Sequence, residues 1–159
     1  MHFILTILMI VVCYSQVIDA EQTPPPGKFS VADLQKLKWI EGTWRGTGDV
    51  ESSFFERYRF ENETTLAVDS FTDGTLTKVE DTTRFALKDG QFGNDGEGSR
   101  WVATTIDYLG VTFVPFVKAR NTFRWQHESD NLWTAILQWP ASDGKPARQR
   151  FYKMERWPK

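Results

Sequence analysis

Between residues 43 and 157, apolar and polar positions alternate with a period near two, as strands with one buried face do. Nine segments carry the pattern: 43–50, 53–60, 64–72, 76–87, 100–107, 111–117, 121–128, 132–139 and 148–157. Between them lie residues with turn chemistry: Glu61-Asn62-Glu63, Asp73-Gly74, Asp89-Gly90, Ser129-Asp130-Asn131 and Ser142-Asp143-Gly144. The Gly-rich stretch 94–99 reads as a longer loop. Turns about ten to twelve residues apart suit an up-and-down meander. The expected fold is all-β, an antiparallel barrel of roughly 8–10 strands, because closure removes the exposed edges. A two-sheet sandwich with Greek-key crossovers is the alternative.

Upstream of residue 42 the period is helical. Ser30 is a good N-cap, with Asp33 three residues on to complete a capping box, and Phe29 and Leu34 are spaced as a hydrophobic staple. Leu34, Leu37 and Ile40 share one apolar face, and Gly42 is available as the stop. One short helix over 31–40 is expected, plugging an end of the barrel. Residues 21–28 contain Pro24-Pro25-Pro26-Gly27 and read as an extended, solvated leader. The domain proper is 29–159.

Residues 3–12 are almost wholly apolar, and 1–20 contain no Lys or Arg. The run falls short of the ~20 residues a spanning helix needs. It reads as a signal peptide cleaved near Ala20, which implies a secreted or periplasmic protein with no transmembrane segment after cleavage. The bland alternative is an uncleaved anchor. Cys13 is the only cysteine and falls inside this segment, so the mature chain would contain neither a disulfide nor a thiolate ligand. Removing Asp19 from 21 acidic residues leaves 20 against 19 basic ones. With no basic run, charge gives no support for a nucleic-acid partner.

The segment Leu37-Lys38-Trp39-Ile40-Glu41-Gly42-Thr43-Trp44-Arg45-Gly46-Thr47-Gly48 resembles the start of calycin barrels, the lipocalin-like and nitrobindin-like domains, with Gly42-Thr43-Trp44 as its core. The resemblance implies an up-and-down barrel that binds a small molecule in its lumen. In such a barrel the first strand pairs with the last. Trp44 then fills the closed end, and Arg156 covers its indole as a cation–π partner. Gly46 and Gly48 share the inward face with Trp44 and either leave lumen space or let the strand coil. Nitrobindin-like proteins bind haem through a late histidine. No His follows His127 here, so the resemblance stops short of a haem cofactor, and none is expected.

The candidate lumen residues are Tyr58, Trp125, His127, Arg150 and Tyr152. Arg150 and Tyr152 lie two apart on one strand face, where a guanidinium and a phenol grip a carboxylate, as in fatty-acid-binding proteins. Against this, Arg148 and Arg150 simply stand in water. Tyr58 and Phe60 point inward and Arg57 and Arg59 outward. Glu56 falls on the apolar face; it pairs with an inward Arg84 or Arg150, or sits at the rim in water, the expected outcome. His127 shares a face with Phe123 and Trp125. Trp133, Ala135, Leu137 and Trp139 form another such face, which builds either core or an aromatic ligand wall.

Glu80 and Asp81 face opposite sides of their strand and cannot act as a pair. No Gly-x-Ser-x-Gly or phosphate-binding loop is present. Asn62-Glu63-Thr64 is a glycosylation sequon on a turn. The expectation is a binding protein for a small hydrophobic or amphipathic molecule. A cavity-free barrel acting as an interaction module is the alternative.

Overall fold

The computed structural model describes residues 25–49, 52–94, 96–142 and 144–158. The apolar segment 1–20, Cys13 and the first half of the Pro-rich leader lie outside these. Ten antiparallel strands close into a barrel in chain order. They are β1 (Gly42–Thr47), β2 (Phe54–Asn62), β3 (Thr65–Phe71), β4 (Val79–Lys88), β5 (Gln91–Asn94), β6 (Arg100–Asp107), β7 (Gly110–Val117), β8 (Thr122–Ser129), β9 (Leu132–Trp139) and β10 (Arg148–Arg156). Each strand pairs with its sequence neighbours, and β1 pairs with β10 to complete the circle. The sandwich alternative is thereby excluded.

Nine strand segments are expected from periodicity, and the tenth, β5, is the one missed. It spans four residues, of which only Phe92 is a strong strand former. It pairs well with β4; among the described residues its one register partner on β6 is Val102, opposite Gly93, and the Asn94 side chain accepts from the Trp101 N–H (2.7 Å). Strand β4 starts at Val79 rather than residue 76. Leu76 takes φ 60°, and the Asp73 carboxylate accepts hydrogen bonds from the Thr75 N–H (2.8 Å) and hydroxyl (2.6 Å), holding a turn there.

The helical segment is shorter than expected. Helix α1 (Val31–Gln35) gives way to a 3₁₀ turn, Lys38–Ile40. Leu34, Leu37 and Ile40 recur every three residues, the period of the tighter helix, and all three are fully buried. The expected cap is present: the Asp33 carboxylate accepts from the Ser30 N–H (2.9 Å) and hydroxyl (2.8 Å). It also accepts from Lys36, and these bonds hold Asp33 at a pKa of about 2.

The end of the leader is tied to the barrel at Gly27, while Pro25 and Lys28 stay exposed. The Gly27 N–H donates to the Ala103 carbonyl (3.0 Å) and the Phe29 N–H to that of Gly90 (2.7 Å). These residues fill the seam that β5 is too short to close against β6. Backbone groups left open in that seam would be costly, which is why the chain is drawn in.

Inside the barrel, aromatic rings pack edge to face. Trp133 meets Trp44 at 6.0 Å and Tyr58 at 5.4 Å; Trp125 meets Tyr58, Phe85 and Phe113 at 5.5, 5.0 and 5.1 Å. Trp44, Trp133, Phe92, Phe113 and Met154 are fully buried. With no disulfide among the described residues, this aromatic packing carries the fold.

Candidate functional site

The two ends of the barrel differ. At the closed end the 3₁₀ turn brings Trp39 over His127 (stacked, 4.7 Å) and beside Trp133 (6.1 Å). Arg156 stands opposite Trp44 in the β1–β10 register and lies 4.0 Å over its indole. Its guanidinium also donates to the carbonyls of Glu41, Trp39 (3.2 Å) and Asp130 (2.8 Å). A side chain at Gly42 would collide with that guanidinium. The Trp44 Nε1 donates to the Ile40 carbonyl (2.7 Å). The Gly-x-Trp motif therefore has a physical reading: glycine admits the arginine, and tryptophan supplies the ring it covers. An open groove outside this end, lined by Asn131, Leu132, Glu155, Arg156 and Pro158, uses the same arginine for structure.

At the other end the inward side chains are part-buried. Phe54, Trp101, Phe123, Leu137 and Tyr152 lie against the packed core but are only partly covered by it. Trp139 and Arg150 stand higher on the same inward faces. The aromatic block beneath forms the floor of this mouth.

The five candidate lumen residues are spread over the full depth rather than gathered. Arg150 and Tyr152 are in the mouth. Tyr152 packs edge-on to Phe54 (5.5 Å), and Arg150 lies 6.0 Å from the ring of Trp139, with Arg148 at 4.4 Å. Trp125 and Tyr58 belong to the packed floor, 6% and 4% exposed. His127 points inward at the closed end under Trp39, and its Nε2 is buried without a hydrogen-bond partner among the described residues. Gly46 and Gly48 do face inward, but the space they leave is taken by the rings of Phe54 and Tyr152.

Glu56 corrects an expectation. It does not sit free at the rim and does not pair with Arg84, which faces outward and binds Glu61 at 2.9 and 3.0 Å. It points inward, opposite Trp44 on β1 and Ser70 on β3. Its carboxylate accepts a hydrogen bond from the Tyr58 hydroxyl (2.7 Å). Burial raises the Glu56 pKa, the Tyr58 bond only partly opposing it. Burial, and then the adjacent carboxylate, push the Tyr58 phenol well above its ordinary range. Arg57 and Arg59 face outward as expected. Arg57 covers Phe71 (4.9 Å), and Arg59 binds Asp69 (3.0 Å). At Asp69 burial works against ionisation, but the bonds from Arg59 and Thr82 outweigh it and hold the pKa below its ordinary value.

Sequence parity placed Glu56 on the inward face, beside Phe54, Tyr58 and Phe60. Its depth was not readable, because depth depends on how far the strands tilt. Trp101 and Trp139 as mouth residues were obscured in the same way. The sequon residue Asn62 is exposed and accepts from the Thr64 N–H and hydroxyl (both 2.9 Å), closing the β2–β3 turn. Among the described residues no three His, Cys, Asp or Glu side chains gather as a metal site would need.

No family model matches the chain, and no curated protein is significantly similar to it in sequence.

Proposed function

We propose that the protein is an exported calycin-type barrel that binds a small hydrophobic or amphipathic molecule in its open end. One observation carries this reading: part-buried inward aromatic side chains, with Arg150 at their level, ring the mouth above a buried aromatic block. Ring area of Phe54, Trp101, Phe123 and Tyr152 left in water forgoes hydrophobic burial at roughly 25 cal/mol per Å², and a bound apolar molecule would recover it. Arg150 and Tyr152 are the polar groups at that level. The apolar segment 1–20 supports export.

The reading includes no cofactor. The His127 Nε2, the atom that would bind a haem iron, is buried, so a porphyrin could reach it only by displacing the closed-end packing. The rival reading is a cavity-free interaction module, and the extent of the aromatic floor favours it.

Native mass spectrometry of the protein from its own compartment separates the two. A mass excess lost on denaturation supports binding, and its size separates a fatty acid from haem. A second arm uses an Arg150→Ala, Tyr152→Ala double variant. Loss of binding with the fold intact supports a carboxylate grip, and unchanged affinity removes it. Failure of an apolar fluorescent probe to enter the native barrel favours the packed module.

A further inference from the structure

Glu56, Ser70 and Asp81 occupy one rung of the barrel wall. Glu56 is opposite Ser70 across β2–β3, and Ser70 is opposite Asp81 across β3–β4. Residues directly opposite in an antiparallel pair project from the same face, so all three line the interior side. In the other direction the rung continues through Trp44 to Arg156 at the closed end. Because barrel strands tilt by about 35–45°, such a rung climbs as it goes round. Exposure follows this climb: Trp44 is fully buried, Glu56 and Ser70 are part-exposed, and Asp81 is exposed at the rim. An acidic and hydroxyl-bearing path thus leads from the mouth into the lumen.

Glu56 is the unusual member. Among the described residues no cation reaches it, and its one hydrogen-bond donor is the Tyr58 phenol. Arg57 and Arg59, its strand neighbours, are on the outer face. Arg150 lies six residues up β10 from the position in register with Trp44, about 20 Å along the strand. A carboxylate held among rings without a counter-ion is costly, and a glutamine would keep the Tyr58 bond without the charge. The rings themselves suit a cation. Phe54 and Tyr58 flank Glu56 on the same strand face, Trp44 stands beside it, and Tyr152 packs on Phe54. Ring faces attract a positive group, and a carboxylate among them supplies the ion pair.

We infer that the mouth takes a molecule bearing a protonated amine on an apolar body. The ammonium sits between Glu56 and Ser70, and the body lies against Phe54 and Tyr152. Asp81 draws the cation in at the rim. This rests on the mouth being a binding site at all, and it names the charge of what binds there.

The test uses three eight-carbon probes at neutral pH, octylammonium, octanoate and octanol, titrated by tryptophan fluorescence against wild type, Glu56→Gln and Asp81→Asn. Octylammonium should bind wild type at least tenfold more tightly than octanol or octanoate. Glu56→Gln should bring it to the octanol level while leaving octanol unchanged. Asp81→Asn, at an exposed position that does not threaten folding, should cause a smaller loss for the ammonium alone. If octanol binds as well as octylammonium, if octanoate binds best, or if Glu56→Gln keeps the preference, the inference falls and the mouth remains a binding site. If none of the three binds folded wild-type protein, the binding reading falls with it.

Discussion

Arg156 is the residue on which the closed end depends. It faces the Trp44 indole at 4.0 Å and gathers three carbonyls, including two from the segment that leads into β1. Charged hydrogen bonds are worth ~1.5–3 kcal/mol and a buried cation–π contact up to about 2. Arg156→Ala should therefore lower unfolding free energy by about 3 kcal/mol in a urea titration. Arg156→Lys keeps the charge over the ring but lacks the planar fork, and should lose about half as much. Equal losses would assign the whole effect to the carbonyl bonds. Glu56 behaves oppositely. Its folded pKa is raised above the ordinary 4.5, so between these values the folded state holds more proton than the unfolded one, and stability falls as pH rises. Glu56→Gln removes that penalty. The variant should melt higher than wild type at pH 7.5, the gap closing as pH drops below about 4.5, by calorimetry in matched buffers. A variant that melts lower at pH 7.5 would show that the carboxylate is stabilising where it stands. The Trp44–Arg156 contact was legible in the sequence because it needs only parity and barrel closure. The depth of Glu56 was not, because tilt is a property of the whole sheet.

At the scale of elements, the long strands announce themselves by alternation, and β5 does not. Its place is set by close backbone approach instead. A side chain on Gly93 would run into the Trp101 carbonyl where β5 pairs with β6. Gly110, at φ 145°, approaches the Trp125 carbonyl in the same way at the start of β7. Gly93→Ala and Gly110→Ala should each cost about 1–3 kcal/mol. Gly96→Ala, with nothing within 4 Å, should cost almost nothing. Thermal melts of the three variants check this, and a neutral Gly93→Ala would mean that β5 and β6 can separate without penalty. The backbone bond from Gly27 to Ala103 was not readable in the leader for a related reason. Pro and Gly in sequence signal lack of regular structure, but not whether a neighbouring seam has unpaired carbonyls waiting. The split of the helical segment was half visible, since the spacing by three from Leu34 to Ile40 is already that of a 3₁₀ turn.

Over the whole molecule the barrel divides by depth into a buried floor and a part-buried mouth, and five of its seven tryptophans report on the two. Trp44, Trp125 and Trp133 are in the floor; Trp101 and Trp139 are half-exposed at the mouth. Periodicity alone put Trp44, Trp125, Trp133 and Trp139 on inward faces and gave the barrel its class, yet it could not divide floor from mouth. The division separates stability from binding. Trp133→Ala empties a fully buried site and should cost about 3–5 kcal/mol. Trp101→Phe and Trp139→Phe leave a ring in place and should change stability little. The fluorescence change on adding octanol should survive Trp125→Phe and shrink in Trp101→Phe or Trp139→Phe, because the reporting indoles are those the probe touches. A signal that vanishes with Trp125 instead would place the probe inside the floor, and the aromatic block would then be a ligand cavity closed around its missing guest.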